Sequence, residues 1–209
     1  MTAATAACTP QGTRTVPPAD TTPSPKTATS GQDGQHVLLA YFSRAGENYY
    51  YGGRSSLDVG NTAVLAGLIS GLIPCDVHRI EAADPYPNSY DATVARNVRE
   101  QNQDARPGIG NQLPVIDQYD TVILASGIWN VRAPMIMTTF TENYDFTGKT
   151  VHPVTTHAMS GLGNTVRDYS RSCPGATIGK GLAVKGEEVR TAGTAIQSWA
   201  RGTGLLPAQ

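Results

Sequence analysis

The chain has 209 residues and a formal net charge of −1, with 16 lysine and arginine residues against 17 aspartate and glutamate residues. This length predicts one domain with a sizeable core, and the near-zero charge argues against nucleic-acid binding and a polybasic membrane surface. The 3 cysteines fit neither a disulfide framework nor a C-x-x-C metal motif, and the 4 histidines lack the H-x-x-x-H helix spacing. We therefore expect no metal site, and no apolar run is long enough to span a bilayer.

Residues 1–35 differ in composition from the rest of the chain. They are dominated by threonine, alanine and proline and contain no leucine, isoleucine, phenylalanine, tyrosine or tryptophan. Such a segment buries too little apolar surface to offset the entropy of ordering it, so we predict a disordered tail followed by one domain over residues 36–209. With no signal peptide present, the expected location is the cytoplasm. The alternative is a cell-envelope lipoprotein anchored through Cys8, if the chain is trimmed there.

The segment that follows the tail predicts a phosphate site. The continuous apolar run at residues 37–42 is typical of a strand buried on both faces. A polar, glycine-bearing turn comes next, and residues 63–69 then form an apolar run that predicts a helix, with Asn61 and Thr62 in its first turn. The first backbone N–H groups of a helix have no acceptor within the helix, so a strand, a loop and a helix N-terminus in this order can bind phosphate.

The rest of the chain continues the alternation of strands and helices. Further strands are predicted at residues 75–81, 121–125, 149–155 and 176–184, and further helices at residues 90–103, 133–143, 164–172 and 186–202. Five strands alternating with five helices predict an α/β fold, in which a doubly wound, mostly parallel sheet carries helices on both faces. Ligands bind such sheets at the carboxyl ends of the strands. Three loops are expected there, at residues 43–61, 126–132 and 156–163.

Several short motifs in these loops resemble those of one known family. The sequence reads Tyr-Phe-Ser-Arg-Ala at residues 41–45, Gly-Asn-Thr at 60–62, Gly-Ile-Trp at 127–129, Thr-His at 156–157 and Ser-Gly-Leu-Gly at 160–163. In order and spacing, over residues 36–202, they resemble the flavodoxin family, in particular a branch with an insertion in its phosphate loop. The resemblance implies a five-stranded parallel sheet of order 2-1-3-4-5 and non-covalently bound FMN.

The resemblance also implies which residues contact FMN. The phosphate would be held at Ser43, Arg44, Asn61 and Thr62, by hydroxyl donors and by a guanidinium that can meet phosphate with two hydrogen bonds. Ile128 and Trp129 would border the isoalloxazine ring, and the loop after the fourth strand would line its pyrimidine side. The full set that it assigns to the cofactor is Ser43, Arg44, Ala45, Asn61, Thr62, Gly127, Ile128, Trp129, Asn130, His157, Ser160 and Gly161.

Two departures from the family pattern leave a second function open. Ala45 stands where flavodoxins have a phosphate-binding threonine, and Asn130 stands where many relatives of this branch have a second tryptophan. The resemblance implies electron transfer or reduction of a small acceptor, with a redox partner protein or NAD(P)H as the other participant. The weak net charge gives little steering towards a protein partner, which favours a small acceptor. The alternative is a non-redox ligand-binding protein that keeps the fold; the oligomeric state stays open.

The implied strand order makes two predictions about distances. Asn61 and Thr62 should lie close to Ser43 although an insertion at residues 47–59 separates them, and the FMN assignment fails if the insertion holds them apart. Cys75 and Cys173 each precede a predicted strand and would lie at opposite edges of the sheet. A disulfide needs Cα atoms within about 7 Å, so we expect none between them.

Overall fold

The structure is a computed structural model that describes Met1 and residues 36–208. The predicted disordered tail, with Cys8, lies outside the described residues. The strands are β1 (Val37–Phe42), β2 (Gly46–Tyr50), β3 (Gly53–Leu57), β4 (Asp76–Ile80), β5 (Thr121–Gly127), β6 (Thr150–His157), β7 (Thr177–Ile178) and β8 (Leu182–Lys185). The α-helices are α1 (Asn61–Leu72), α2 (Tyr90–Asn102), α3 (Met135–Glu142), α4 (Thr165–Ser172) and α5 (Gly193–Gly202). None of the helices described is long and apolar enough to cross a membrane.

The main sheet has the predicted order. Its strands run β4-β1-β5-β6, all in parallel, and β7 and β8 both pair with β6 in parallel. Counted along the main sheet, this is the order 2-1-3-4-5, with the fifth strand in two pieces. The prediction of one strand over residues 176–184 is therefore wrong in detail. A Cβ at Gly179 would overlap the His152 ring, and the His152 Nδ1 is hydrogen-bonded to the Lys180 carbonyl at 3.0 Å, so the chain leaves the ladder there.

Helices cover both faces of the sheet. In β1, Leu38 and Leu39 are fully buried but belong to different core clusters, because successive side chains of a strand point to opposite faces. One cluster packs α1 and α5 on the sheet, and the other contains residues of α3 and α4. The doubly wound architecture is thus confirmed. Cys75 packs against the first cluster and Cys173 lies in the second, and both are free thiols.

The insertion in the first loop forms a β-hairpin of its own. Strands β2 and β3 pair antiparallel, with Tyr50 opposite Gly53, so the connecting loop has two residues. Tyr51 and Gly52 both have positive φ, at 43° and 84°, as a two-residue hairpin turn of type I′ requires. We refer to residues 46–57 as the insertion hairpin.

The last predicted helix begins later than the sequence indicates. Residues Gly186–Thr191 form a 3-10 helix, and α5 begins only at Gly193. Val189 and Ala192 are both buried in the core cluster beneath α1. Side chains three residues apart align on one side of a 3-10 helix, so this tighter turn packs both of them.

Candidate functional site

The two halves of the first loop meet in space, as the sequence predicts. The backbone N–H of Ala63 donates to Ser43 Oγ at 3.0 Å. A Cβ on Gly60 would overlap Ser43 Oγ and the carbonyl oxygen of Arg44, so Gly60 touches the end of β1 directly. Asn61 and Thr62 lie between these two contacts. The prediction that they lie close to Ser43 is therefore confirmed, and the insertion leaves the loop as a hairpin without separating its halves.

This arrangement presents hydrogen-bond donors at the start of α1. The N–H groups of Ala63 and Val64 bond to the Gly60 carbonyl, at 3.0 and 3.2 Å, whereas those of Asn61 and Thr62 begin the helix and have no acceptor within it. Ser43 Oγ accepts from the backbone and keeps its own proton for donation. Helix N-termini with such donors bind phosphate and other anions.

Arg44 lines the cleft, and two of its side-chain nitrogens bond to backbone carbonyls. Its NH1 donates to the carbonyls of Pro87 and Asn88, at 2.9 and 3.0 Å, and its NH2 donates to the carbonyl of Glu47. Burial lowers the pKa of this guanidinium, which is still charged in a protein. Within the described part of the chain its Nε is buried without a partner. Arg44 thus ties the loop before α2, through NH1, to the insertion hairpin, through NH2.

A cleft with a volume of about 160 Å³ opens at the carboxyl ends of β1, β5 and β6. The predicted residues that line it are Ser43, Arg44, Asn61, Thr62, Gly127, Ile128, Trp129, Asn130 and His157. Ala45 lines a separate pocket beside the insertion hairpin. Ser160 and Gly161 shape the turn after β6, where the carbonyl of Gly161 accepts from Thr155 Oγ1 at 2.9 Å. The proposed cofactor contacts of these last three residues stay predictions.

The loop after β5 is a tight turn that accounts for Asn130. Asn130 and Val131 have φ values of 50° and 61°, and the backbones of Trp129 and Arg132 exchange hydrogen bonds of 2.7 and 3.3 Å across them. Asparagine tolerates the left-handed region better than tryptophan does. Asn130 Nδ2 also donates to Gln101 Oε1 at 3.2 Å, which ties the turn to α2. Asn130 therefore suits the left-handed conformation that this turn requires.

The backbone of Val131 is strained, because its φ of 61° is in the left-handed region. We expect Val131→Gly to raise the free energy of unfolding by about 1 kcal/mol, because the left-handed conformation costs a non-glycine residue roughly 1–2 kcal/mol. The side chain is 50% exposed, so little burial is lost. Urea denaturation measures the change. Asn130→Gly is the matched comparison and should change stability less; a destabilised Val131→Gly would contradict the assignment of strain.

Trp129 has an ordered aromatic and polar network behind it. Its ring makes edge contacts with the rings of Phe42 and Tyr86, at centroid distances of 5.8 and 5.0 Å. The Tyr86 hydroxyl donates to Glu100 Oε2 at 2.8 Å, and Arg96 Nε donates to Glu100 Oε1 at 2.7 Å. The Arg96 guanidinium also lies 4.0 Å from the centre of the Tyr86 ring. This network, which sequence reasoning missed, holds Trp129 at the wall of the cleft.

The cleft has two further walls that the sequence analysis did not predict. The first is one face of α2, formed by Tyr90, Thr93, Val94 and Asn97. Their spacing of three and four residues marks a single helix face, and that pattern was readable in the sequence. The second comprises Asn48 and Tyr49 of the insertion hairpin together with Gly186 and Glu187 after β8. No local pattern predicts this second wall, because contacts between distant residues create it.

His157 and Glu187 are two titratable residues in the lining of the cleft. Burial lowers the pKa of the His157 imidazole, and the negative charge of Glu187 opposes that shift. His157 Nδ1 and Glu187 Oε2 are both buried without a hydrogen-bond partner among the described residues. Buried polar atoms in native proteins are nearly always paired, so such atoms in a cleft indicate a ligand or ordered water. Across residues 36–208, no group of His, Cys, Asp and Glu side chains is arranged to hold a metal ion.

Comparisons with known proteins agree with this geometry. The family model described as flavodoxin matches residues 36–201. Candidate flavoproteins from Bacteroides eggerthii and Bacteroides uniformis are both 28% identical, with TM-scores of 0.65 and 0.63, and the matches cover 81% and 79% of this chain and 98% and 99% of theirs. A Lactobacillus acidophilus flavoprotein in complex with FMN is 16% identical, with a TM-score of 0.55, over 79% of this chain and 99% of that one. No curated protein matches the chain. With most of its described residues matched by that family model, the chain belongs to the flavodoxin family.

Proposed function

We propose that this protein binds FMN non-covalently in the cleft and uses it to reduce a small acceptor or to transfer electrons. The observation that carries the proposal is the phosphate loop that Ser43 and α1 assemble across the insertion. Gly60 touches the end of β1, and Ala63 N donates to Ser43 Oγ at 3.0 Å, which sets the open N–H groups of Asn61 and Thr62 beside a hydroxyl donor. Membership of the flavodoxin family supports the same cofactor.

The cleft has residues suited to both the phosphate and the ring of FMN. Asn61 N–H, Thr62 N–H, Ser43 Oγ and the unpaired Arg44 Nε would hold the phosphate, and Ile128, Trp129 and His157 would border the ring. FMN, when bound, supplies a ring that takes up and releases electrons, while the protein positions it and tunes its potential. The buried Trp129 network supplies the rigidity that such positioning requires.

The shape of the cleft favours a small molecule over a protein as the electron acceptor. The insertion hairpin contributes Asn48 and Tyr49 to its lining, and α2 contributes a facing wall from Tyr90 to Asn97. Both narrow the access that a protein partner would need. The net charge of −1 provides little long-range attraction for a charged redox protein. The electrons would come from NAD(P)H or from a redox partner protein.

Reconstitution with FMN tests the proposal. We expect the purified protein to take up FMN, with a shift of the visible flavin absorbance, and to bind FMN at least about tenfold more tightly than riboflavin. The reason is that hydrogen bonds to the charged phosphate contribute roughly 1.5–3 kcal/mol each, and 1.4 kcal/mol is a factor of ten in affinity. Failure to take up FMN, or equal affinity for riboflavin, would contradict the phosphate site.

The second candidate is a non-redox protein that binds another ligand in the same cleft. The observation that favours it is the cleft volume of about 160 Å³. Ligand pockets usually measure roughly 300–1,000 Å³. A protein that takes up no flavin but is stabilised by a smaller phosphorylated molecule, in a thermal-shift comparison, would support this candidate. FMN uptake in the reconstitution above would decide against it.

A further inference from the structure

The insertion hairpin crosses from one rim of the cleft to the other. At the α2 rim, Arg54 donates to both carboxylate oxygens of Asp91, at 2.8 and 2.6 Å, and its guanidinium lies 4.6 Å from the centre of the Tyr90 ring. At the opposite rim, the backbone N–H at the hairpin tip, on Tyr51, donates to Glu187 Oε1 at 3.0 Å. The hairpin is therefore a strap between α2 and the segment after β8.

The two attachments of this strap are unequal. On the α2 side, the ion pair and ring contact of Arg54 are joined by a third contact, in which Tyr90 N donates to Glu47 Oε2 at 3.0 Å. On the other side, the backbone of the tip is attached by the hydrogen bond from Tyr51 N–H to Glu187 Oε1. If the strap moves, the bond to Glu187 breaks first, and the hairpin swings on its α2 side.

The second oxygen of Glu187 points to a ligand. Oε2 is buried without a partner among the residues that the structure describes, and the side chain lines the cleft. A carboxylate oxygen can only accept hydrogen bonds, so it requires a donor from whatever enters the cleft. A phosphate offers no such donor at neutral pH and would be repelled. A flavin offers two kinds, the hydroxyl groups of its ribityl chain and the imide N–H of its ring.

Movement of the insertion hairpin would widen the cleft for a flavin. The cleft has a volume of about 160 Å³, whereas ligand pockets usually measure at least roughly 300 Å³. The walls formed by the β1, β5 and β6 loops continue directly from central strands of the sheet. The tip of the insertion hairpin is instead attached to the opposite rim by the hydrogen bond from Tyr51 to Glu187, so it is the wall that can move with the smallest loss of contacts.

We propose that Glu187 is a flavin-binding residue that couples ligand binding to closure of the insertion hairpin. Through Oε2 it accepts a hydrogen bond from a hydroxyl or imide N–H of the flavin, and through Oε1 it holds the hairpin tip at Tyr51. A flavin in the cleft fixes the carboxylate and so strengthens the bond to the tip. This inference rests on the proposed FMN function, and it assigns to Glu187 a role that the flavodoxin motifs do not cover.

Three variants separate the two roles of the carboxylate. Glu187→Ala removes both oxygens. Glu187→Gln keeps one oxygen for Tyr51 N–H and replaces the other with an amide that cannot accept. Glu188→Ala is the matched control, because Glu188 is the adjacent glutamate, is about half exposed and pairs with Lys185 at 3.4 Å instead of facing the cleft.

Limited chymotrypsin cleavage after Tyr51 reports closure of the hairpin independently of activity, since Tyr51 stands at the hairpin tip and is 66% exposed. We expect saturating FMN to slow this cleavage about tenfold or more in the wild type and in Glu188→Ala. In Glu187→Ala cleavage should be fast with and without FMN. In Glu187→Gln it should match the wild type without FMN and show little protection with it. Equal protection by FMN in all four proteins would overturn the proposal.

Flavin affinities identify the donor. Glu187→Ala should raise the Kd for FMN and riboflavin about tenfold relative to Glu188→Ala, because a hydrogen bond to a charged acceptor is lost. Lumiflavin has the ring but no ribityl chain: an equal loss of its affinity assigns the imide N–H, and an unchanged affinity assigns a ribityl hydroxyl. Unchanged or tighter FMN binding by Glu187→Ala overturns this inference and leaves the proposed function standing. A wild type that binds no FMN overturns both.

Discussion

Gly60→Ala is expected to weaken FMN binding, with a rise in Kd of about 100-fold or more. The new Cβ would overlap Ser43 Oγ and the Arg44 carbonyl oxygen and would lie 2.7 Å from the Arg44 carbonyl carbon. Relief of that overlap moves the start of α1 away from β1, which scatters the phosphate donors of Ser43, Asn61 and Thr62. Loss of two charge-assisted hydrogen bonds, each worth roughly 1.5–3 kcal/mol, gives the expected change in affinity.

Gly67→Ala provides the control for Gly60→Ala in the same helix. Nothing lies within 4 Å of a Cβ at Gly67, so alanine there meets no neighbour. We expect FMN affinity equal to that of the wild type, and a free energy of unfolding about 0.5–1 kcal/mol higher, because alanine is the better residue in a helix interior. Flavin fluorescence titration and urea denaturation measure the two quantities. If both variants bind FMN equally well, the phosphate does not lie at the start of α1.

Arg96→Ala is expected to lower the free energy of unfolding by about 3 kcal/mol. The side chains of Arg96 and Glu100 are only 15% and 11% exposed, and the substitution leaves the Glu100 carboxylate buried without its cationic partner. Removal of one member of a buried ion pair typically costs about 3–5 kcal/mol. The same change removes the guanidinium from the Tyr86 ring, which supports Trp129. Trp129 should therefore become more mobile as well.

Arg54→Ala is the comparison for Arg96→Ala, because it breaks an ion pair of similar distance at the surface, 2.6 Å against 2.7 Å. The side chains of Arg54 and Asp91 are 45% and 73% exposed. Solvent screens exposed ion pairs strongly, so this variant should lose much less stability than Arg96→Ala in urea denaturation. Tryptophan fluorescence anisotropy should change for Arg96→Ala and stay constant for Arg54→Ala. Equal losses of stability would show that the Arg96 network is not buried in solution.

The sequence predicts the centre of this fold better than its periphery. The apolar runs at β1 and β5 indicate strands buried on both faces, and helices do cover both faces. The insertion hairpin has no such signal in the sequence, because its partners are distant along the chain. Arg54 bonds to Asp91, 37 residues away, and Tyr51 bonds to Glu187, 136 residues away. The break between β7 and β8 likewise depends on contacts of Gly179 and Gly181 with other parts of the chain.

The candidate site also has parts that the sequence predicts and parts that it does not. Family motifs locate the three loops at the strand ends, because those motifs are short and contiguous. They do not locate α2, whose cleft-facing side chains have an ordinary amphipathic spacing. Glu187 is the most instructive case. An acidic residue at the predicted start of a helix is explained by the helix dipole alone, and only the fold reveals that it receives the N–H of Tyr51.

The division of the fifth strand also affects how the protein behaves at high concentration. An exposed sheet edge presents a row of unpaired amide and carbonyl groups that can recruit a strand from another molecule. Here that edge consists of 2 residues in β7 and 4 in β8, interrupted by glycines. The opposite edge, β4, carries Asp76 and Arg79. Neither edge offers a long apolar template, so both protect the folded protein from edge-to-edge aggregation.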